Sequence, residues 1–306
     1  MTHAFARAAL RRVAATVGFV ALVATAAFVL TRLAPGDPTL ALRASGASEA
    51  VIAHERARRG LDQPLTALAA DWLRGALRGD LGESVTYGRP VRTLVAERAV
   101  YTAQLAAGAL IVALIIGVPL GILGGAYPRH WASRLSATLS LALVSCPPMV
   151  AALALLWIAA TTQWMSMEPG AWVLPTLALG VPLAASIERL QSQAVREAMG
   201  GLEVVAAAAR GIPPARLLWI HVARQSLRPL LGIFGVVIGS LFSGSLIVEV
   251  VTSWPGLGRL TYDALRERDI YLVAGCAMAG AVCLSAGQCI ADAARTWADP
   301  RVRTPR

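Results

Sequence analysis

Long apolar stretches separated by shorter polar segments run along the whole chain. Six of them are long enough, or nearly long enough, to cross a hydrocarbon core of about 30 Å, which takes roughly 20 helical residues. Because only helices and closed barrels satisfy their backbone groups in lipid, this pattern predicts an all-α polytopic membrane protein with six transmembrane helices. The predicted spans are Val13–Leu33, Ala99–Ala126, Leu135–Gln163, Trp172–Ile187, Pro229–Val251 and Tyr271–Ala291.

Prolines interrupt two of these spans. Cys146-Pro147-Pro148 lies inside the third span and should kink its helix, because proline lacks the amide proton and clashes with the preceding turn. The fourth span is short and contains Pro175 and Pro182, which predicts a broken helix. A break at membrane depth is tolerated where protein or a water-filled cavity satisfies the freed backbone groups.

Arginine placement predicts the topology. The chain has 28 basic residues, all of them arginine, and a formal charge of +10. With a cytoplasmic amino terminus, the inside segments hold 15 arginines and the two short outside loops hold 3. This asymmetry predicts that both termini are cytoplasmic. A cleaved secretory signal is the alternative for the first span, but the apolar run continues beyond the candidate site at Ala24–Ala26 to Leu33.

The chain is expected to divide into five segments. They are the amino terminus and first span (1–33), an extracytoplasmic segment (34–98), spans two to four (99–190), a cytoplasmic segment (191–228), and the last two spans with a basic tail (229–306). In the extracytoplasmic segment we expect one helix capped by Ser48 and ending near Gly60, and another that begins near Pro64.

The cytoplasmic segment is expected to contain two helices. The first should run over Val195–Arg210 and end at Gly211. Pro213 and Pro214 should then open the second, over Ala215–Leu227. Two helices outside the bilayer, bent at a glycine, suit docking to a partner.

Composition excludes several classes of function. Hydrophobic residues make up 56% of the chain and charged residues 15%, compared with roughly 25% charged in soluble domains. The absence of lysine rules out a Walker-type ATP site. The arginines lie between apolar segments rather than on one face, which argues against nucleic acid and for membrane lipid. The four cysteines lie in apolar runs without metal or redox spacing.

Catalysis and ion coupling also lack candidate residues. None of the four histidines lies in a predicted span, so an intramembrane serine hydrolase is not supported. We therefore expect no catalytic residue, no metal and no cofactor bound by this chain. Glu188, Glu249 and Asp292 lie near predicted span ends, which disfavours the alternative of an autonomous secondary carrier or channel.

Small residues recur at four-residue spacing in two spans. They are Gly117, Gly121 and Gly125 in the second span and Gly235, Gly239 and Ser243 in the fifth. Such ridges allow close helix packing, either within the chain or against another membrane subunit.

Several motifs together carry a family resemblance. Glu203–Gly211, followed by His221–Ser226 and Pro229, resembles the cytoplasmic coupling loop of binding-protein-dependent ABC importer permeases. More narrowly, the chain resembles the first permease subunit of dipeptide, oligopeptide and nickel importers. Further matching motifs are Leu33–Pro38, Gly60–Leu65, Trp72-Leu73, Gly79–Ser84, Arg89–Val91, Glu249, Trp254–Arg259, Arg268-Asp269 and Asp299–Arg303. Arg98–Thr102 departs from the pattern by lacking a proline, and Leu202-Glu203 replaces an Asp-Tyr pair.

The resemblance implies a permease of the bacterial cytoplasmic (inner) membrane that imports peptides, nickel chelates or related small solutes. It implies a second homologous permease, two ATPase subunits that hold ATP and magnesium, and an extracytoplasmic substrate-binding protein. The implied ATPase-coupling residues are Glu203, Ala207, Arg210, Gly211, His221 and Arg224. The implied extracytoplasmic loop residues are Pro35, Gly36, Asp37, Pro255, Gly256 and Gly258.

Overall fold

A computed structural model describes residues 2–34, 46–58, 64–163 and 171–298. Its helices are α1 (Thr2–Leu33), α2 (Glu49–Arg58), α3 (Leu65–Leu77), α4 (Val91–Ala126), α5 (Trp131–Ser145), α6 (Pro148–Thr162), α7 (Val173–Met199), α8 (Leu202–Ala209), α9 (Pro214–Val251), α10 (Leu257–Arg266) and α11 (Ile270–Ala298). Within these residues the only β-pairing is an isolated bridge between Glu83 and Pro90. The all-α prediction is confirmed.

Five helices are long and apolar enough to cross a membrane, namely α4, α7, α9 and most of α1 and α11. The pair α5 and α6 would make a sixth span, although the two helices are bent by 110°. Pro147 precedes α6 with φ −58° and ψ 143°, an extended conformation that ends α5 and restarts the helix. The predicted kink at Cys146-Pro147-Pro148 is confirmed.

The break predicted in the fourth span is wrong. Helix α7 runs without interruption from Val173 to Met199 and contains Pro182 in its interior. Pro175 lies in the first turn, where the missing amide proton costs no intrahelical hydrogen bond. Both prolines are therefore accommodated in one continuous helix that extends 12 residues beyond the predicted end at Ile187.

The cytoplasmic segment also departs from its predicted pair of helices. Gly200 and Gly201 separate α7 from α8, because glycine disfavours a helix interior. The second predicted helix does not end at Leu227 but continues through Pro229 as α9. A π-helical stretch, Leu217–Val222, lies near the start of α9. The helix starts at Glu49 after Ser48 and at Leu65 after Pro64 agree with the sequence analysis.

The chain forms two compact units. The first comprises 1–100 and 256–285, and its apolar core is centred on aromatic side chains. The Phe28 ring lies 5.4 Å from Trp72 and 6.0 Å from Tyr271, measured between centroids. The Trp72 indole donates a hydrogen bond of 3.2 Å to the carbonyl of Leu81, so the buried ring keeps its polar atom satisfied.

The second unit comprises 101–255 and 286–306, and α7 is its most buried long helix. The glycines at 117, 121 and 125 bring α4 against α7. A Cβ atom on Gly121 would lie 2.6 Å from the Gln191 Cβ and 2.7 Å from the Glu188 carbonyl oxygen. Gly117 and Gly125 face carbonyl oxygens of α7 at 2.6 Å in the same way. The two backbones therefore approach more closely than any larger residue allows.

The second small-residue ridge makes looser contacts. A Cβ atom on Gly235 would meet the Ala291 Cβ at 3.9 Å, an ordinary van der Waals distance. Gly239 is half-buried on the same helix. Of the two ridges, the one on α4 makes the close backbone approach.

Replacing Gly121 with alanine is expected to destabilise the protein by about 1–3 kcal/mol, because backbone and side-chain atoms of α7 must move. The matched control is Gly232→Ala in α9, where an added Cβ meets nothing within 4 Å. The measurement is the midpoint of thermal unfolding in detergent. Equal midpoints for the two variants would contradict the assigned packing.

Candidate coupling surface

Residues 200–228, here called the coupling segment, belong to the second unit and pack against the rest of it through one face of α8. Val204 and Ala207 are buried on that face. They belong to an apolar cluster of the second unit. The other buried members of the cluster are Ile122, Val195, Leu218, Val222 and Ala223. Helix α8 is thus held against parts of α4, α7 and α9.

A polar bridge joins the two helices of the coupling segment. The Gln225 amide donates a hydrogen bond of 2.6 Å to the Glu203 carboxylate. Glu203 lies in the first turn of α8, where a negative charge is stabilised by the helix dipole. Glu203 therefore positions α8 relative to α9.

Gly211 ends α8 in a Schellman motif. Its φ is +78°, its amide donates to the Ala208 carbonyl at 2.9 Å, and the Ile212 amide donates to the Ala207 carbonyl at 3.4 Å. These are the two hydrogen bonds of that motif, which requires a left-handed residue after the helix. A Cβ on Gly211 would meet no atom within 4 Å, so backbone conformation is the constraint here.

The opposite face of the coupling segment is exposed and mixes apolar with basic side chains. Arg210, His221 and Arg224 are exposed. Leu202 is 87% exposed. Val205, Trp219 and Ile220 are also exposed. An exposed apolar patch with basic neighbours is typical of a protein contact surface.

The structure distributes the six residues of the predicted coupling set over three positions. Ala207 lies in the core, Glu203 and Gly211 shape the segment, and the two arginines with His221 lie on the exposed face. The sequence analysis did not single out the exposed apolar residues. The sequence feature that could have identified them is the number of large apolar side chains in a segment outside the predicted spans.

Glu249 lies two residues before the end of α9, as expected, but the same expectation is wrong for Glu188, which lies well inside α7. Glu188 and Glu249 are both buried in helices that qualify as spans. Glu249 accepts a hydrogen bond of 2.7 Å from the Thr102 hydroxyl. Near it, the Trp254 indole donates to the Tyr101 carbonyl at 3.1 Å. Asp292, in contrast, is 40% exposed and lies 3.8 Å from Arg295.

The described part of the chain contains no group of three histidine, cysteine, aspartate or glutamate side chains that could hold a metal ion. The predicted loop residues are found only in part. Gly256 adopts an extended conformation just before α10, and Gly258 is buried in that helix. Pro255 belongs to the second unit. Pro35, Gly36 and Asp37 lie outside the described residues, as do Gly60 and the tail motif 299–303.

Asp269 organises the polar segment that follows α3. One of its carboxylate oxygens accepts from the Ser84 hydroxyl at 2.6 Å and from the Thr86 amide at 3.2 Å. The other accepts from the Leu272 amide at 3.1 Å. Asp269 is 1% exposed, so this carboxylate is the anchor between residues 84–86 and the start of α11.

Tyr87 and Arg89 of the first unit have pKa values that are shifted from their ordinary values. Partial burial raises the pKa of the Tyr87 phenol, and the charge of Asp263 raises it further. A hydrogen bond to Glu97 raises the pKa of Arg89. The Arg89–Glu97 pair is bidentate, with distances of 2.6 and 3.3 Å, but its exposure to solvent limits its contribution to stability.

Comparison with known sequences identifies the family. Residues 117–304 match the family described as binding-protein-dependent transport system inner membrane component. The chain belongs to this family. It is 31% identical to a probable peptide ABC transporter permease protein of Sinorhizobium fredii, over 96% of this chain and 98% of that protein. It is 30% identical to a glutathione transport system permease protein of Salmonella typhimurium, over 85% and 87% of the two chains.

The family resemblance stated from the motifs is therefore confirmed. The chain is a multi-pass inner membrane permease of a bacterial ABC transporter. A permease of this family is not itself the catalytic subunit, and membership implies ATPase and substrate-binding-protein partners.

Replacing Asp269 with alanine is expected to lower the thermal unfolding midpoint by roughly 5 °C or more, because two buried donors and one partly buried donor lose their acceptor. The measurement is thermal unfolding in detergent, together with proteolysis of the segment around residue 85. Glu267→Ala, an exposed change two residues earlier, is the control. A midpoint unchanged by Asp269→Ala would show that the carboxylate does not anchor this segment.

Proposed function

We propose that this permease forms part of the membrane pathway of an ATP-driven importer for peptides or peptide-like solutes. Relatives along nearly the whole chain are named as peptide and glutathione transport permeases. The sequence motifs also allow nickel chelates, but the names of these relatives favour a peptide class. Substrate would be delivered by an extracytoplasmic binding protein.

The complete importer would contain two permeases, this chain and a homologous one, above two ATPase subunits. ATP and magnesium would be held by those ATPases, and this chain would bind no cofactor. The arginine distribution supports cytoplasmic termini, and with that topology the coupling segment would lie on the cytoplasmic side with the ATPases.

The packing of α8 is the observation that carries the mechanism. The helix is fixed to α7 and α9 through Val204, Ala207 and the Glu203–Gln225 bridge. Its other face offers Leu202 and Val205 to a partner, and the exposed Arg210 directly follows the helix. Because close-packed interiors transmit displacement, movement of an ATPase against α8 would move the ends of α7 and α9. Alternation between inward and outward openings would follow.

A secondary carrier remains the second candidate function, and the buried Glu188 and Glu249 are the observation that favours it. Carboxylates at membrane depth often serve ion coupling. The two functions differ in one requirement. An importer needs a separate ATPase, whereas a carrier moves solute when it is reconstituted alone.

The deciding experiment is affinity purification from native cells in mild detergent, followed by mass spectrometry and reconstitution. We expect a second permease and nucleotide-binding ATPases to copurify, and uptake of peptide to require ATP and the binding protein. A chain that purifies alone and transports in the absence of ATP would contradict the proposal.

Replacing Gly211 with valine is expected to reduce transport roughly tenfold, because a β-branched residue at positive φ costs about 1–2 kcal/mol and displaces α8. Gly211→Asn is the matched control, since asparagine tolerates the left-handed conformation. Peptide uptake and binding-protein-stimulated ATP hydrolysis are measured together in proteoliposomes. Uptake that falls equally in both variants, or in neither, would refute the role of this turn.

A further inference from the structure

We propose that a cleft between α5 and α7 binds the ammonium group of a transported peptide, with Glu188 as its counter-ion. This inference rests on the function proposed above and assigns a substrate contact to the permease itself. The cleft has a volume of about 670 Å³, within the roughly 300–1,000 Å³ of small-molecule sites.

Glu188 is the unusual residue of this cleft. It is 2% exposed, it contributes to the cleft wall, and its Oε2 accepts no hydrogen bond from the residues that the structure describes. A buried carboxylate without a donor is strongly unfavourable. The site is therefore incomplete without a cation or another group that donates hydrogen bonds.

The surroundings of Glu188 are built to keep space for its carboxylate. A Cβ atom on Gly124 would lie 3.2 Å from the Glu188 Oε1 and 3.5 Å from the Ser192 hydroxyl oxygen. Of the two arginines that line the cleft, Arg196 donates a hydrogen bond of 3.0 Å to the Ser192 hydroxyl, and Arg189 directly follows Glu188. Glycine at position 124 thus leaves the carboxylate unobstructed.

A second acceptor lies one turn further along α7. The Gln191 Oε1 is buried and also accepts no hydrogen bond from the described residues, while its amide donates to Ser226 at 2.7 Å. Gln191 packs against Gly121 of α4 and is not part of the cleft wall. Glu188 is therefore the acceptor that the cleft offers, and an ammonium group carries three donors for it.

The rest of the cleft suits a short peptide better than an inorganic ion. Leu141 and Val144 supply an apolar wall, and Arg189 and Arg196 supply positive charge for a peptide carboxylate. Among the described residues, Glu188 does not belong to a group of three histidine, cysteine, aspartate or glutamate side chains that could hold a metal ion. The chemistry therefore matches a zwitterion with an apolar body.

The test uses the purified full transporter in detergent without its binding protein. The affinity measured is then that of the membrane complex and not that of the binding protein. Binding of radiolabelled tri-alanine is measured by equilibrium dialysis, with N-acetyl-tri-alanine as a competitor. Glu188→Gln should weaken tri-alanine binding roughly tenfold to a hundredfold, the range for a hydrogen bond to a charged group. Glu188→Asp should recover part of the loss.

Asp292→Asn is the matched control, because it makes the same chemical change at a carboxylate outside the cleft wall. It should leave the affinity unchanged. Leu141→Trp is an independent variant that fills the cleft from an exposed position on α5. It should abolish tri-alanine binding without altering Glu188.

Three results would overturn the inference. The first is that the wild-type protein binds no tri-alanine. The second is that Glu188→Gln reduces the affinities for tri-alanine and for its N-acetyl form equally. The third is that sodium displaces tri-alanine, which would assign the Glu188 site to an inorganic cation. The proposed function is tested separately by ATP-dependent uptake of tri-alanine with the binding protein. Uptake that persists while these binding results fail would reject the ammonium site alone.

Discussion

The close approach of α4 to α7 is the constraint on which the second unit depends. In lipid there is little hydrophobic gain from bringing two apolar helices together, so dispersion contacts and backbone proximity must hold them. The glycines at 117, 121 and 125 supply that proximity, because each removes a side chain that would collide with α7. Of the apolar stretch of α7, 61% is buried, compared with 33% for α4, so α7 becomes the helix around which its neighbours pack.

The same contact links the interior of the unit to the coupling segment. Gly125 packs on Val195 of α7, and Val195 belongs to the apolar cluster that holds α8. A displacement of α8 would therefore reach α7 through packed side chains rather than through a flexible loop. The Schellman turn at Gly211 supports this by fixing where α8 ends and where the chain turns towards α9.

The sequence predicted the parts of the fold that depend on local chemistry. Six apolar stretches predicted a helical membrane protein because lipid leaves few alternatives, and Pro147 predicted the bend between α5 and α6. Helix ends were predicted poorly. The apolar pattern stops at Ile187, whereas α7 continues to Met199, because helical hydrogen bonding does not require the helix to stay within the hydrocarbon. For the coupling surface, motif resemblance located the segment, but which residues face outward depends on tertiary packing.

The buried carboxylates show most clearly why the rest required a structure. Glu188 comes directly after the predicted end of its span at Ile187, so the sequence pattern assigned it to the membrane boundary. Its burial arises from contacts with Gly121 and Gly124 on another helix, which periodicity along α7 does not reveal. Glu249 has Thr102 as a hydrogen-bond donor, whereas Glu188 Oε2 has none among the described residues. A buried polar group that has a hydrogen-bond partner is compatible with a stable fold. A buried polar group without a partner costs free energy. A ligand that donates a hydrogen bond to Glu188 would recover this free energy on binding. The cleft beside Glu188 is large enough to hold such a ligand.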